Sequence, residues 1–128
     1  TKGGVERTLV FSRPEQINTI KRAILLVGKK SMIPKGMTYI ERRNQYDGLT
    51  HRAGMNNLHG LRHAYAQNRY IELTNYHTKG KGWPSPIDGG PKRNVLTHEQ
   101  KKIDDYARER ISWELGHSRK SIIKNYIG

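Results

Sequence analysis

The stretch that decides the fold lies at the end of the chain and reads Glu114-Leu115-Gly116-His117-Ser118-Arg119-Lys120-Ser121-Ile122-Ile123-Lys124-Asn125-Tyr126-Ile127. Gly116 is well placed to end the helix that the preceding residues predict. His117 follows it directly, and Tyr126 lies nine residues further on. Because nine residues of straight helix span about 13 Å, His117 and Tyr126 can reach one ligand only if the chain bends near Gly116 or Ser118 or if the tyrosine segment swings.

Apolar periodicity and capping patterns predict helices over much of the chain. The predicted helices are residues 13–28, a short one near 37–45, 58–73, 97–115 and 119–126. The first carries an apolar stripe at helical spacing, which we expect to pack into the core: Ile17, Ile20, Ile24 and Val27.

The first residues predict a different element. Gly3-Gly4 is a turn signal, and Val5 to Phe11 is a β-rich run in which Val5, Arg7, Leu9 and Phe11 share one face. We therefore predict a β-hairpin over residues 1–11. The predicted fold class is α+β and mainly α, a small N-terminal β-hairpin followed by a helical bundle, in one domain of 128 residues.

A segment rich in Gly, Pro and basic residues separates two of the predicted helices, at 74–95. An insertion of this length is unusual inside a small domain. It is either a mobile surface loop or a basic flap that touches a DNA backbone, and the sequence leaves both possibilities open.

The charge balance points to a polyanionic partner. Lys and Arg number 24 against 11 Asp and Glu, a formal net charge of +13, which favours nucleic acid. The chain has no cysteine, which excludes disulfides and a cysteine zinc site. No apolar run reaches the roughly 18 residues that a membrane span needs, so we expect no membrane association.

A second cluster lies upstream of His117 and reads Leu58-His59-Gly60-Leu61-Arg62-His63. Together with Leu115-Gly116-His117 and Tyr126, its order of His, Arg, His and Tyr resembles the catalytic domain of the tyrosine recombinases, the phage-type integrases. The resemblance implies an enzyme that cleaves and rejoins double-stranded DNA through a covalent 3′-phosphotyrosine, without metal or cofactor. It also implies a tetramer on DNA for the full-length protein, and a cytoplasmic, nucleoid-associated protein encoded by a bacterium or phage.

Each matched residue has a role in that chemistry. Tyr126 is the expected nucleophile, and Arg62 is the expected phosphate clamp because its planar fork suits phosphate oxygens. His59, three residues before Arg62 on the same helical face, is an acid/base or a phosphate donor. His117 is a further phosphate donor. By the resemblance, Lys2 beside its glycine turn is the general acid.

The resemblance also implies a catalytic residue that this sequence does not contain. The family has another catalytic arginine upstream of the lysine hairpin, and this chain begins at that hairpin. We therefore expect a truncated catalytic domain that is nearly inactive, since loss of one oxyanion donor costs about 10²–10³ in rate.

Three other interpretations stay open at this point. His59 and His63 stand four residues apart, a spacing that suits a zinc pair, but no third ligand is evident and we expect no metal site. The chain could be a basic nucleic-acid-binding module without catalysis. It could also be a strand transferase of the type IB topoisomerase kind, which shares the phosphotyrosine chemistry.

Overall fold

The computed structural model describes residues 6–55 and 58–128, which form two compact units. One unit contains residues 6–8 with 58–128, and the other contains residues 9–55. Five α-helices make up most of the described chain: α1 (Pro14–Val27), α2 (Tyr39–Arg52), α3 (Gly60–Thr78), α4 (His98–Glu114) and α5 (Lys124–Ile127). None of the helices in these ranges has the length and apolar character that crossing a bilayer requires.

The core of the larger unit lies between α3 and α4, and the last turns of the chain pack onto both helices. α3 buries Ala66, Tyr70 and Leu73 at helical spacing. The other buried apolar side chains are Trp83, Leu96, Ala107, Ile111, Leu115, Ile123, Tyr126 and Ile127. α4 begins at a capping box in which the Thr97 hydroxyl accepts from the Gln100 amide, as the sequence predicts.

The predicted β-hairpin over residues 1–11 is wrong, and the fold class is all-helical over residues 6–55 and 58–128, which contain no strand. Residues 6–12 run without regular secondary structure, and Val10 and Phe11 are exposed. Alternating residue types favour an extended backbone, but a strand also needs a partner for its backbone groups, and none is present in the described chain. The Gly3-Gly4 turn lies outside the described residues.

The predicted core stripe on the first helix is also wrong, although the helix itself is confirmed. α1 ends at Gly28 as expected, yet none of its residues is buried, and Ile17 and Ile24 are exposed. Apolar periodicity shows that a helix has a face suited to burial, but it does not supply a surface to cover that face. Residues 9–55 contain no buried side chain at all.

The segment predicted as an insertion over 74–95 is packed against the core. Its first residues complete α3, and short 3₁₀ turns occupy Pro86–Asp88 and Arg93–Val95. The indole Nε1 of Trp83 donates to the Tyr70 hydroxyl at 3.1 Å, and the backbone N–H of Trp83 donates to Thr74 Oγ1. Buried polar contacts therefore fix a segment that its Gly and Pro content suggested was loose.

Candidate functional site

Tyr126 lies within a cluster of three histidine rings. Its ring centroid is 4.5 Å from that of His63, 5.3 Å from that of His117 and 6.0 Å from that of His59. The side chain of Tyr126 is buried, whereas His59 is exposed and the other two histidines are half-buried. The fold therefore brings together residues from two distant stretches of sequence around one phenol.

The start of α3 supplies His59, Arg62 and His63. His59 stands just before the helix and the other two lie in its first turn, which contains no acidic residue. Positive side chains at a helix N-terminus are opposed by the helix dipole, at about 0.3–1 kcal/mol each. An anion bound at the same place is favoured by both the dipole and the side chains.

The turn that ends α4 places His117 beside Tyr126. Gly116 adopts a φ of 73°, its N–H donates to the Trp113 carbonyl, and the His117 N–H donates to the Ser112 carbonyl. These bonds reverse the chain, which continues through a 3₁₀ turn at Lys120–Ile123 into α5. The bend that a joint role for His117 and Tyr126 requires therefore occurs at Gly116.

Arg62 is held in position by the end of α4. Its Nη2 donates to the carbonyl oxygen of Leu115 at 2.6 Å. This contact orients the guanidinium and uses one end of its fork, leaving the remaining N–H groups for a ligand.

Arg7 also lies at this site, and the sequence interpretation missed it as a functional residue. A Cβ built on Gly116 would lie 2.5 Å from Arg7 Nη1 and 3.0 Å from its Cζ, so the guanidinium occupies space that only glycine leaves open. The signal was present in the sequence, because Arg7 is a charged residue on the otherwise apolar face of Val5, Leu9 and Phe11.

Two buried nitrogen atoms at this site have no hydrogen-bond partner among the described residues: Nε of Arg7 and Nε2 of His117. Burial, followed by the positive charges of Arg62, Arg7 and His59, lowers the pKa of His117 below its usual range. Burial would lower this pKa in any apolar site, whereas the contributions of the two arginines show that His117 faces positive charge.

His63 was also missed as a site residue by the sequence interpretation. Its ring nevertheless lies nearer to the ring of Tyr126 than do the rings of His59 and His117. The four-residue spacing from His59 was noted only as a zinc pattern. In the described part of the chain, no group of three or more His, Cys, Asp or Glu side chains could hold a metal ion. Lys2, the predicted general acid, lies outside the described residues.

Comparison with known proteins gives no relative: no family model, no curated protein and no solved structure matches this chain. The interpretation of the site therefore depends on its own geometry and charge.

Proposed function

We propose that this chain cleaves and rejoins DNA strands through a covalent 3′-phosphotyrosine at Tyr126, with no metal or cofactor. The observation that carries the proposal is the ring cluster, in which three imidazoles lie within 6.0 Å of the phenol ring. A nucleophile, proton-transfer groups and fixed positive charge are what phosphodiester cleavage needs.

In the proposed reaction the Tyr126 hydroxyl attacks phosphorus, the new Oη–P bond forms and the bond from phosphorus to the 5′ oxygen breaks. The phenolic proton passes to an imidazole, that of His59 or His63, and Arg62 and His117 bind the non-bridging oxygens. The leaving 5′ oxygen takes a proton from an acid, the role predicted for Lys2. Attack by another 5′-hydroxyl reverses these steps, so one ester replaces another and no energy source is required.

The buried position of Tyr126 adds a requirement to this proposal. The tyrosine lies in a four-residue helix that follows a 3₁₀ turn, and Gln67 Nε2 donates to its backbone carbonyl at 3.3 Å. We propose that this short terminal turn shifts when DNA binds, because few backbone bonds need to break. The phosphate then reaches the phenol between the histidines.

A trapping experiment tests the proposed nucleophile. DNA duplexes are prepared with a 5′-bridging phosphorothiolate at one position and random flanking bases, and they are incubated with the chain. The sulfur leaving group needs no acid to depart and does not attack the phosphotyrosine again, so the covalent adduct accumulates. We expect a denaturation-resistant adduct whose peptide carries a nucleotide on Tyr126. Tyr126→Phe should abolish it, and Tyr106→Phe, which alters an exposed tyrosine on α4, should not.

Because the trapped adduct cannot reverse, it accumulates even when the reaction is slow, and the incubation therefore runs for days. No adduct from the wild-type chain after that time, or an equal adduct from Tyr126→Phe, contradicts the proposal. Sequencing the trapped flanks also separates two enzyme classes. A recombinase enriches a defined sequence, and a strand transferase of the type IB topoisomerase kind gives little enrichment.

The second candidate function is a nucleic-acid-binding module without catalysis, favoured by the net charge of +13 and by the burial of Tyr126 within the core cluster. It predicts that DNA affinity falls steeply with salt, with a slope of about −0.9 per neutralised phosphate. It also predicts that His117→Ala and Tyr126→Phe leave that slope unchanged and that no strand exchange occurs with any DNA.

A further inference from the structure

We propose that Arg7 is a phosphate-binding residue of this site, and that its guanidinium and the His117 imidazole together hold one tetrahedral oxyanion. This inference rests on the proposed function for the identity of the oxyanion, a DNA phosphodiester. Its structural basis is independent of whether Tyr126 reacts.

Arg7 Nε and His117 Nε2 are both buried, and neither has a partner among the described residues. A buried polar group left unpaired costs about 1–3 kcal/mol, and more when it is charged. Two such atoms beside one glycine therefore indicate that an external acceptor completes the site.

The surroundings of His117 are positive rather than negative. Burial and, after it, Arg62, Arg7 and His59 all lower the pKa of His117, and no carboxylate acts on it in the opposite, raising direction. The carboxylate of Glu114 is occupied elsewhere, by hydrogen bonds from Tyr65, Arg69 and Arg110. The missing acceptor is therefore an anion brought by a ligand.

Arg62 is already partly engaged within the protein. One end of its guanidinium fork is bonded to the Leu115 carbonyl, so it cannot donate from every N–H to a phosphate with two non-bridging oxygens. Arg7 lies beside the turn residue Gly116, where its Nη1 and Cζ come within 3.0 Å of the position that a Cβ would take. Glycine at this position leaves room for the guanidinium.

Sulfate is the probe for this proposal because it is tetrahedral and keeps its charge across the pH range. Sulfate is titrated into the wild-type chain and into Arg7→Gln by calorimetry at low ionic strength. We expect Arg7→Gln to weaken binding by about 10- to 100-fold, the effect of losing a charge-assisted hydrogen bond. Arg7→Lys should recover part of the loss.

Lys81→Gln is the matched control, because it removes one positive charge from an exposed side chain in the same unit. Lys81 follows the C-terminus of α3, about 28 Å of helix away from the cluster at its N-terminus. A loss of sulfate affinity in Arg7→Gln no larger than that in Lys81→Gln overturns the proposal. So does a wild-type chain that does not bind sulfate.

If Arg7→Gln does not fold, the wild-type protein gives the answer alone. The Arg7 Nε–H resonance, assigned in the wild type by through-bond correlation to the Arg7 backbone, should shift on sulfate addition, and an unchanged resonance overturns the proposal. The two proposals fail separately: sulfate binding that depends on Arg7 with no Tyr126 adduct contradicts only the catalytic proposal. An adduct that forms without any dependence on Arg7 contradicts only this one.

Discussion

At the scale of single residues, Gly116 determines how the site is assembled. Its positive φ lets α4 end and sends His117 back toward Tyr126, a conformation that other residues adopt at a cost of about 1–2 kcal/mol. Its missing side chain also leaves room for the Arg7 guanidinium. One residue thus controls both the path of the chain and the packing of a cation.

His117 should give the fold a measurable pH dependence. Burial and neighbouring cations lower its pKa in the folded chain, so below the ordinary histidine value of about 6.5 the unfolded chain takes up a proton that the folded chain does not. We expect the free energy of unfolding to decrease as the pH falls from about 6.5 toward the lower pKa of His117 in the folded chain, and to level off below that pKa.

Urea unfolding of the wild type and of His117→Gln between pH 8 and 5 measures this effect. The difference between the two proteins matters, because the chain has six histidines. The wild type should lose more stability than the variant over this range. Equal losses in both proteins would show that folding does not lower the pKa of His117.

Most residues of the candidate site could be predicted from the sequence. The resemblance to the tyrosine recombinases selected His59, Arg62, His117 and Tyr126, and the fold brings them to one place. His63 and Arg7 were not selected, since no local pattern says which neighbour of a motif will face the phenol. Their placement depends on helix rotation and on the path of residues 6–8.

At the scale of elements, α4 carries a buried carboxylate that ties it to α3. Glu114 accepts from the Tyr65 hydroxyl at 2.7 Å and from Arg69 Nη2 at 3.1 Å, and from Arg110 within its own helix. Burial raises its pKa, but the bonds from Arg69 and Tyr65 outweigh burial and the net pKa is lowered. Its contribution to stability is therefore present above a pH of about 4.5 and is lost as pH falls through the lowered pKa.

Glu114→Gln should destabilise the fold by about 1–3 kcal/mol, because Arg69 loses its buried counter-charge and keeps only the ion pair with the partly exposed Glu72. Glu109→Gln is the control from the same helix, because Glu109 pairs with Lys120 and both side chains are more than 60% exposed. That pair should contribute about 0–1 kcal/mol. Chemical unfolding at pH 7 measures both, and similar losses would contradict the role assigned to Glu114.

Element boundaries were predicted well where caps are local and poorly where they are not. The start of α4 follows from the Thr97 capping box, and the end of α1 follows from Gly28. α3 extends to Thr78, beyond the predicted end at residue 73, because Thr74 bonds to the Trp83 backbone and holds the last turn in the core. That contact joins residues whose meeting the sequence does not signal.

At the scale of the whole molecule, the two units differ in how much they bury. α3 and α4 share a continuous apolar core, whereas α1 and α2 have no buried residue, and Leu25 and Leu26 are each 86% exposed. Helices of 14 residues are marginal in water without tertiary packing. The free energy of folding should therefore be concentrated in residues 58–128.

Amide hydrogen exchange tests this distribution. We expect amides near the centres of α3 and α4, such as those of Tyr70 and Ile111, to exchange only through global unfolding. Amides in α1 and α2 should exchange orders of magnitude faster in the same sample. Protection in α1 equal to that of Ile111 would mean that the apolar face of α1 is covered in solution.

The sequence by itself determined where helices begin and end at local caps, the strong positive charge, and which residue types are able to handle a phosphate. These depend on spacing and composition, which act over a few residues. The tertiary structure decided that residues 6–12 form no strand, that the α1 stripe is unburied, and that Arg7 and His63 join the cluster around Tyr126. Those outcomes depend on which surfaces meet across distant parts of the chain, because burial and strand pairing need a partner that no local pattern encodes.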